Sequence, residues 1–172
     1  RVFGNQKGGS LEQLVAKDEE ARNFANWVYS ESGMDLQKIP GTGAAGGLGA
    51  ALVLLGGSLE AGFDRIAAIV GLEEDIAGAD LVITGEGRMD GQSKEGKVPY
   101  GVAQLAKKHG VPVIAVCGSI AEDAEWVWEE FLSVFSIQTQ VLPLKEAMER
   151  EKTLANLTFV TRNILRTYFR HS

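Results

Sequence analysis

Two short apolar runs decide the fold of this chain: Leu81-Val82-Ile83-Thr84 and Val111-Pro112-Val113-Ile114-Ala115-Val116-Cys117. Neither run alternates apolar with polar residues over its length, which is typical of strands buried on both faces of a parallel sheet. Residues 98–109, between the two runs, have helical periodicity. The pattern therefore predicts two parallel strands connected by a helix.

The same alternation of strand and helix continues toward the carboxyl terminus. Ser119 and Glu122 have capping-box spacing and predict a helix to about residue 131. Residues 134–137 predict a third strand, and 144–169 predict a long terminal helix. The order βαβαβα predicts an α/β domain, of which three strands form only half a doubly wound sheet. The remaining strands are expected from sequence before Arg1 or from another chain.

The first third of the chain is helical and rich in glycine. A capping box between Ser10 and Gln13 predicts a long helix that ends at Gly33. A glycine loop over residues 39–49 then leads into the apolar stretch 50–55, which predicts a buried helix.

Composition and charge exclude several classes of protein. Of 172 residues, 45% are hydrophobic and 23% are charged, which excludes intrinsic disorder. The net charge of −6 argues against a nucleic-acid partner, because such proteins present a basic face. With no apolar run of about 18 residues and no leader-like opening, neither a membrane span nor a signal peptide is expected. The single cysteine, Cys117, allows no internal disulfide, so we expect a cytoplasmic protein.

The densest chemical signal, residues 84–97, follows the first predicted strand. It combines several ionisable residues with four glycines at the carboxyl end of a strand, where α/β sheets place their ligand sites. Glu86 and Asp90 are candidates for a general base or metal ligands. Arg88 could clamp a carboxylate or phosphate, and Lys97 could meet an anion at a helix N-terminus. A solvated surface loop is the alternative, but it does not explain four glycines.

Two glycine patterns match nucleotide-binding motifs incompletely. Gly91 to Lys97 has the spacing of a P-loop, but Val98 stands where the Mg²⁺-binding hydroxyl should be. Residues 41–46 fit G-x-G-x-x-G, but the preceding strand and the acidic residue of a dinucleotide site are missing, which disfavours an NAD-dependent oxidoreductase. The 41–46 loop binds an anion through its N–H groups, or its glycines only allow close helix packing; both interpretations stay open.

Four motifs carry a resemblance to a known family. They are Val2-Phe3-Gly4-Asn5-Gln6-Lys7-Gly8, Pro40-Gly41-Thr42-Gly43-Ala44-Ala45-Gly46-Gly47-Leu48-Gly49, Ala79-Asp80-Leu81-Val82-Ile83-Thr84-Gly85-Glu86-Gly87-Arg88, and Gln92-Ser93 through Gly96-Lys97-Val98-Pro99 with Gly101-Val102-Ala103. With Phe135-Ser136-Ile137-Gln138 and the terminal helix, they make the chain resemble the bacterial glycerate kinase family, which phosphorylates glycerate with ATP. Family members are considerably longer, so the chain resembles their C-terminal portion.

The resemblance implies a two-domain enzyme, in which a mixed α/β domain is inserted into a discontinuous flavodoxin-like α/β domain. Residues 1–78 would be the end of the inserted domain, and 79–172 the C-terminal half of the flavodoxin-like domain. It further implies that Mg²⁺, ATP and glycerate meet in the interdomain cleft. The product would be 2-phosphoglycerate, with 3-phosphoglycerate as the other outcome.

The resemblance also implies roles for individual residues. Glu86 or Asp90 would hold Mg²⁺ or accept the hydroxyl proton, while Arg88 and Lys97 would neutralise phosphate or the substrate carboxylate. The residues expected to bind substrate or phosphate are Lys7, Thr42, Gly43, Gly46, Gly47, Gly85, Gly87 and Ser93.

A second hypothesis makes the chain a catalytically incomplete C-terminal fragment. Such a fragment would fold through homodimer contacts and would bind anions at most. Stability that rises with protein concentration would favour this hypothesis, because association stabilises the folded state by mass action.

Overall fold

The structure, a computed structural model, describes residue 8, residues 10–94 and residues 97–170. The chain forms two compact units, Arg1–Ala61 and Gly62–Ser172. The expected domain boundary at residue 78 concerns the architecture of a longer protein and stays a prediction.

Helix α1, Leu11–Ser32, opens the first unit and confirms the predicted capping box. The Ser10 hydroxyl accepts a hydrogen bond from the backbone N–H of Gln13 at 3.3 Å, and the Gln13 side chain accepts one from the N–H of Ser10 at 3.0 Å. The helix ends at Gly33, whose φ of 71° lies in the left-handed region that favours glycine.

Helix α2, Ala44–Leu54, contains a left-handed turn at the glycine loop. Gly46 and Gly47 have φ values of 71° and 98°, a conformation open to glycine at low cost. The helix predicted over 50–55 is present as far as Leu54, but its predicted burial is wrong, because Leu52 and Leu54 are 47% and 40% exposed. The small core of this unit covers only part of the helix; its buried residues are Ala25, Val28, Leu36 and Ala50.

The second unit is built on a three-stranded parallel sheet, which confirms the predicted α/β class. Its strands are β1, Val82–Met89, β2, Val113–Ile120, and β3, Ser133–Ser136, in the spatial order β1-β2-β3. Within the described residues, β1 and β3 each pair with β2 alone.

Helices cover both faces of this sheet, as expected for a βαβαβα chain. They are α3, Gly62–Val70; α4, Leu72–Ala77; α5, Val98–Lys108; α6, Val127–Glu130; α7, Leu144–Ala147; and α8, Arg150–Tyr168. Helices α3 to α6 share one hydrophobic core with alternate residues of β2, while α8 packs on the opposite face through Ile164. Among the described helices, none has the length and apolar character needed to cross a membrane.

Two helix predictions near the carboxyl terminus were wrong. Ser119 does not begin a helix, because β2 continues to Ile120 and Ser119 lies opposite Arg88 in the sheet. Pairing with β1 thus takes precedence over the local capping signal, and α6 begins only at Val127. The predicted terminal helix is two helices, α7 and α8, which are interrupted after Ala147.

Strand β1 extends five residues beyond the predicted strand, so residues 85–89 are paired strand and not loop. A Cβ atom on Gly85 would collide with the carbonyl oxygen of Val116, and one on Gly118 would collide with that of Gly87. By contrast, no atom lies within 4 Å of the position a Cβ would take on Gly87. The close approach of two backbones therefore requires glycine at 85 and 118, whereas Gly87 has room for a side chain.

We expect Gly85→Ala to destabilise the protein by about 1–3 kcal/mol, because the added methyl group forces β1 away from β2. Gly87→Ala is the matched control and should stay close to the wild type. Urea denaturation of both variants measures the difference. Equal midpoints would contradict the packing that we describe.

Candidate active site

Four predicted site residues meet where β1 ends. The ammonium group of Lys97, the residue before α5, lies 3.2 Å from Asp90 Oδ1, 3.2 Å from Ser93 Oγ and 3.7 Å from Glu86 Oε2. We call Glu86, Asp90, Ser93 and Lys97 the Lys97 cluster. One short segment of sequence thus brings two carboxylates, a hydroxyl and a cation together.

A tight turn after β1 orients Asp90. Its backbone N–H donates to Ser93 Oγ at 3.2 Å, and the Ser93 hydroxyl donates to Asp90 Oδ1 at 3.2 Å. Ser93 lies in a 3₁₀ turn, Gly91–Lys94, and is completely buried. Its hydroxyl is therefore committed to holding the Asp90 carboxylate and the Lys97 ammonium group.

The electrostatics of the cluster favour an ionised Asp90. Burial raises the pKa of this carboxyl group, but the hydrogen bond and charge of Lys97 lower it, as do hydrogen bonds from Ser93 and the backbone of Gln92. The net effect holds the pKa of Asp90 below its ordinary value. Asp90 is thus a carboxylate fixed in place by its neighbours.

Glu86 has one oxygen to which no described residue donates a hydrogen bond. Its side chain is 14% exposed, and this oxygen, Oε1, is buried. A buried carboxylate oxygen without a partner is costly, and such atoms in native proteins call for an explanation. Glu86 Oε1 can accept a hydrogen bond from a ligand hydroxyl or coordinate a cation.

Arg88 lies at the margin of the cluster. Its side chain is 68% exposed, and Nε is 3.9 Å from Asp90 Oδ2. The strand alternation changes here, because Met89 and not Arg88 enters the hydrophobic core. The guanidinium group therefore faces solvent beside the carboxylates, where it can reach an anionic ligand.

Cys117 lies opposite Glu86 in the sheet and is buried. Burial raises the pKa of its thiol to about 11, with a smaller contribution from the charge of Glu86. Because the thiolate is the reactive form, Cys117 is not a nucleophile of this site.

The structure places the other predicted binding residues that it describes in the first unit or within β1. Thr42 donates its hydroxyl to the carbonyl groups of Leu36 and Ile39 at 2.8 and 3.0 Å, which stabilises its own loop. Ligand binding by Thr42 and by the three glycines of that loop, Gly43, Gly46 and Gly47, stays a prediction. Gly85 and Gly87 lie within β1 and not in a loop, and Lys7 lies outside the described residues.

Sequence reasoning missed one contact of the site. Trp126 donates its indole N–H to the backbone carbonyl oxygen of Asp90 at 3.1 Å. Two residues apart, Trp126 and Trp128 cannot share one helix face, so the sequence predicts one in the core and the other at the surface or an interface. That prediction is confirmed, since Trp126 packs against the core and Trp128 is 72% exposed. Spacing alone carries no signal for the bond, because the partners are 36 residues apart.

Divalent metal binding is compatible with the donors present. Among the described residues, no group of three or more His, Cys, Asp or Glu side chains is placed to hold a metal ion. Mg²⁺ needs no such cage, because it keeps several waters and often binds one or two carboxylates together with substrate phosphates. Glu86, with its unpartnered oxygen, and Asp90 match that requirement.

The lowered pKa of Asp90 predicts a pH-dependent contribution to stability. The contribution is present above the pKa of the unfolded state, about 4, and is lost as the pH falls through the lower pKa of the folded state. Asp90→Asn should therefore be less stable than wild type at neutral pH, and the difference should shrink in acid. Urea denaturation between neutral and acidic pH measures it, with the exposed Asp80→Asn as control. A constant difference would contradict the pKa shift.

Cys117 should resist alkylation in the folded protein. With a thiol pKa of about 11 and a buried sulfur, iodoacetamide at about pH 8 should label it only after unfolding. Mass spectrometry with and without guanidinium chloride checks this expectation. Rapid labelling of the native protein would contradict the burial of the Cys117 thiol.

Comparison with known proteins identifies the family of this chain. The sequence model of the glycerate kinase family matches residues 1–169. The chain is 41% identical over 169 residues to a glycerate 2-kinase of Escherichia coli K12, covering 97% of this chain and 44% of that protein. It is 42% identical over 165 residues to a glycerate kinase of Halalkalibacterium halodurans, covering 95% of this chain and 43% of the relative.

A solved structure agrees with these relatives. A crystallised protein from Salmonella typhimurium LT2, assigned as glycerate kinase 2, matches with a TM-score of 0.64 and 36% identity, covering 99% of this chain and 44% of that one. The chain thus spans less than half the length of these relatives. A family match over nearly the whole chain, at this identity, shows that the chain belongs to the glycerate kinase family.

Proposed function

We propose that the intact protein transfers the γ-phosphate of ATP to a hydroxyl group of glycerate. The observation that carries the proposal is the Lys97 cluster, which combines a cation with an unpartnered carboxylate oxygen in a chain of this family. Phosphoryl transfer depends mainly on positioning and charge neutralisation, and the cluster offers groups for both.

In this proposal Glu86 is the general base. The glycerate hydroxyl oxygen forms a bond to the γ-phosphorus, the bond from that phosphorus to the bridging oxygen of ADP breaks, and the hydroxyl proton passes to Glu86. Its Oε1 is buried and has no hydrogen-bond partner among the described residues. Asp90 is less suited to this step, because Lys97 and Ser93 already occupy its Oδ1.

Cations of the site would neutralise the transferring phosphate and the glycerate carboxylate. Arg88 is exposed enough to form a bidentate pair with either group. Lys97 lies just before α5, where the helix dipole also favours an anion. Mg²⁺ held by Asp90 together with phosphate oxygens would supply further charge neutralisation when bound.

We further propose 2-phosphoglycerate as the product. The support is the Escherichia coli relative, whose name specifies the 2-kinase activity. We also propose a cytoplasmic location, since the single buried Cys117 forms no disulfide and suits a reducing compartment.

A second candidate is that this chain alone lacks activity. It spans 44% of its Escherichia coli relative, and within the described residues β1 pairs with β2 alone. The isolated chain would then fold through homodimer contacts and would bind anions at most. Sedimentation of the purified chain, followed by an ADP-release assay with glycerate, separates this candidate from a self-sufficient kinase.

Substitutions in the Lys97 cluster test the kinase proposal in the intact protein. Glu86→Gln should lower kcat about a hundredfold or more, because it removes the base. Lys97→Met should also reduce kcat/KM strongly, because it removes charge neutralisation of the phosphate. Glycerate-dependent ADP release measures both.

Exposed residues of the same types provide the controls. Glu74→Gln in α4 and Lys108→Met at the end of α5 remove the same charges away from the cluster and should keep wild-type turnover. Near-normal turnover in Glu86→Gln and Lys97→Met would show that the chemistry occurs elsewhere.

A further inference from the structure

The backbone around Asp90 is held on both sides by the segment that follows β2. Ala121 donates its N–H to the carbonyl oxygen of Met89 at 2.8 Å, and Trp126 donates its indole N–H to the carbonyl oxygen of Asp90 at 3.1 Å. These two carbonyl groups belong to the peptide planes on either side of Asp90. Fixing both planes fixes the direction in which the Asp90 side chain leaves the backbone.

The indole ring also contacts the other end of the segment that carries the cluster. Trp126 packs edge-on against Tyr100, with ring centroids 5.7 Å apart and planes at 77°. Tyr100 lies in the first turn of α5, three residues after Lys97. Phe131 holds the indole from a further direction, with centroids 5.9 Å apart.

From this geometry we propose that Trp126 is a positioning residue, which sets the Asp90–Lys97 ion pair by bonding the Asp90 backbone and packing against the start of α5. The inference rests on the proposed kinase function for its catalytic consequence. The two partners belong to the ends of a segment that includes a 3₁₀ turn, and a shift at either end would separate groups now 3.2 Å apart. A rigid aromatic side chain from a separate segment restricts that motion.

Trp126→Phe tests the indole N–H, because phenylalanine keeps an aromatic ring and lacks the donor. Trp128→Phe is the matched control, since Trp128 is exposed two residues away. In the intact protein we expect Trp126→Phe to lower kcat about tenfold or more, while Trp128→Phe keeps the wild-type value. Glycerate-dependent ADP release measures kcat.

A second readout separates positioning from a general loss of structure. At a fixed neutral pH, the ¹³C shift of the Asp90 carboxyl group, assigned by its loss in Asp90→Asn, reports the contacts of this carboxylate directly. We expect this shift to change in Trp126→Phe, because a looser contact with Lys97 alters the hydrogen bonding of the carboxylate. It should not change in Trp128→Phe. An unchanged Asp90 carboxyl shift in folded Trp126→Phe would overturn the inference, whatever the rate.

Two further outcomes are decided by the same experiment. If the wild type released no ADP with glycerate, the kinase proposal would fail, and the Asp90 carboxyl shift would still decide the role of Trp126. If Trp126→Phe failed to fold, β-(3-benzothienyl)alanine at position 126 would replace it, because sulfur takes the place of the N–H with little change in shape. Failure of that variant to fold, or an unchanged carboxyl shift in it, would make Trp126 merely structural and overturn the inference.

Discussion

The parallel pairing of β1 with β2 is the interaction on which the site depends. The register runs from Val82 opposite Val113 to Met89 opposite Ile120, well past the apolar part of either strand. It carries Glu86 into the sheet beside buried Cys117, which explains why a carboxylate so close to the surface is largely buried. Glycine is required at Gly85 and Gly118, where each backbone approaches a carbonyl oxygen of the neighbouring strand. Gly85, one of the four glycines in the predicted ligand loop over residues 84–97, thus serves sheet packing.

The topology can be predicted from the sequence because it depends on continuous apolar runs. The cluster can be predicted because ligand sites follow strand ends. It fails at strand ends for a physical reason. Residues 85–89 are glycine-rich and charged, and their local preferences favour a loop, but backbone hydrogen bonds to β2 outweigh them. The same pairing overrides the capping signal at Ser119, whereas Ser10, which has no strand to pair with, caps its helix as predicted. The contact of Trp126 cannot be predicted from the sequence, because its hydrogen bond to the Asp90 backbone joins residues 36 positions apart.

Charge balance in the Lys97 cluster agrees with the phosphorylated ligand that we propose. Two carboxylates share one ammonium group, so the cluster has a net negative charge when Arg88 and any metal ion are left out. A negative cluster attracts a divalent cation, and the cation then attracts phosphates. In the proposed reaction, Lys97 would neutralise the carboxylates before ligands bind and would turn toward phosphate once Mg²⁺ is held there, because lysine has a long, flexible side chain.

All four members of the cluster come from residues 86–97, and their contacts with one another lie within a single compact unit. The groups that we propose to accept the proton and to neutralise charge are therefore arranged by this chain itself. Positioning two substrates is a separate requirement, and it contributes several orders of magnitude to rate in well-oriented reactions. In a chain that spans 44% of its relatives, the two requirements can be met by different parts of the protein. A fragment could then retain a correctly built cluster, with its lowered Asp90 pKa, and still be unable to hold ATP and glycerate in line.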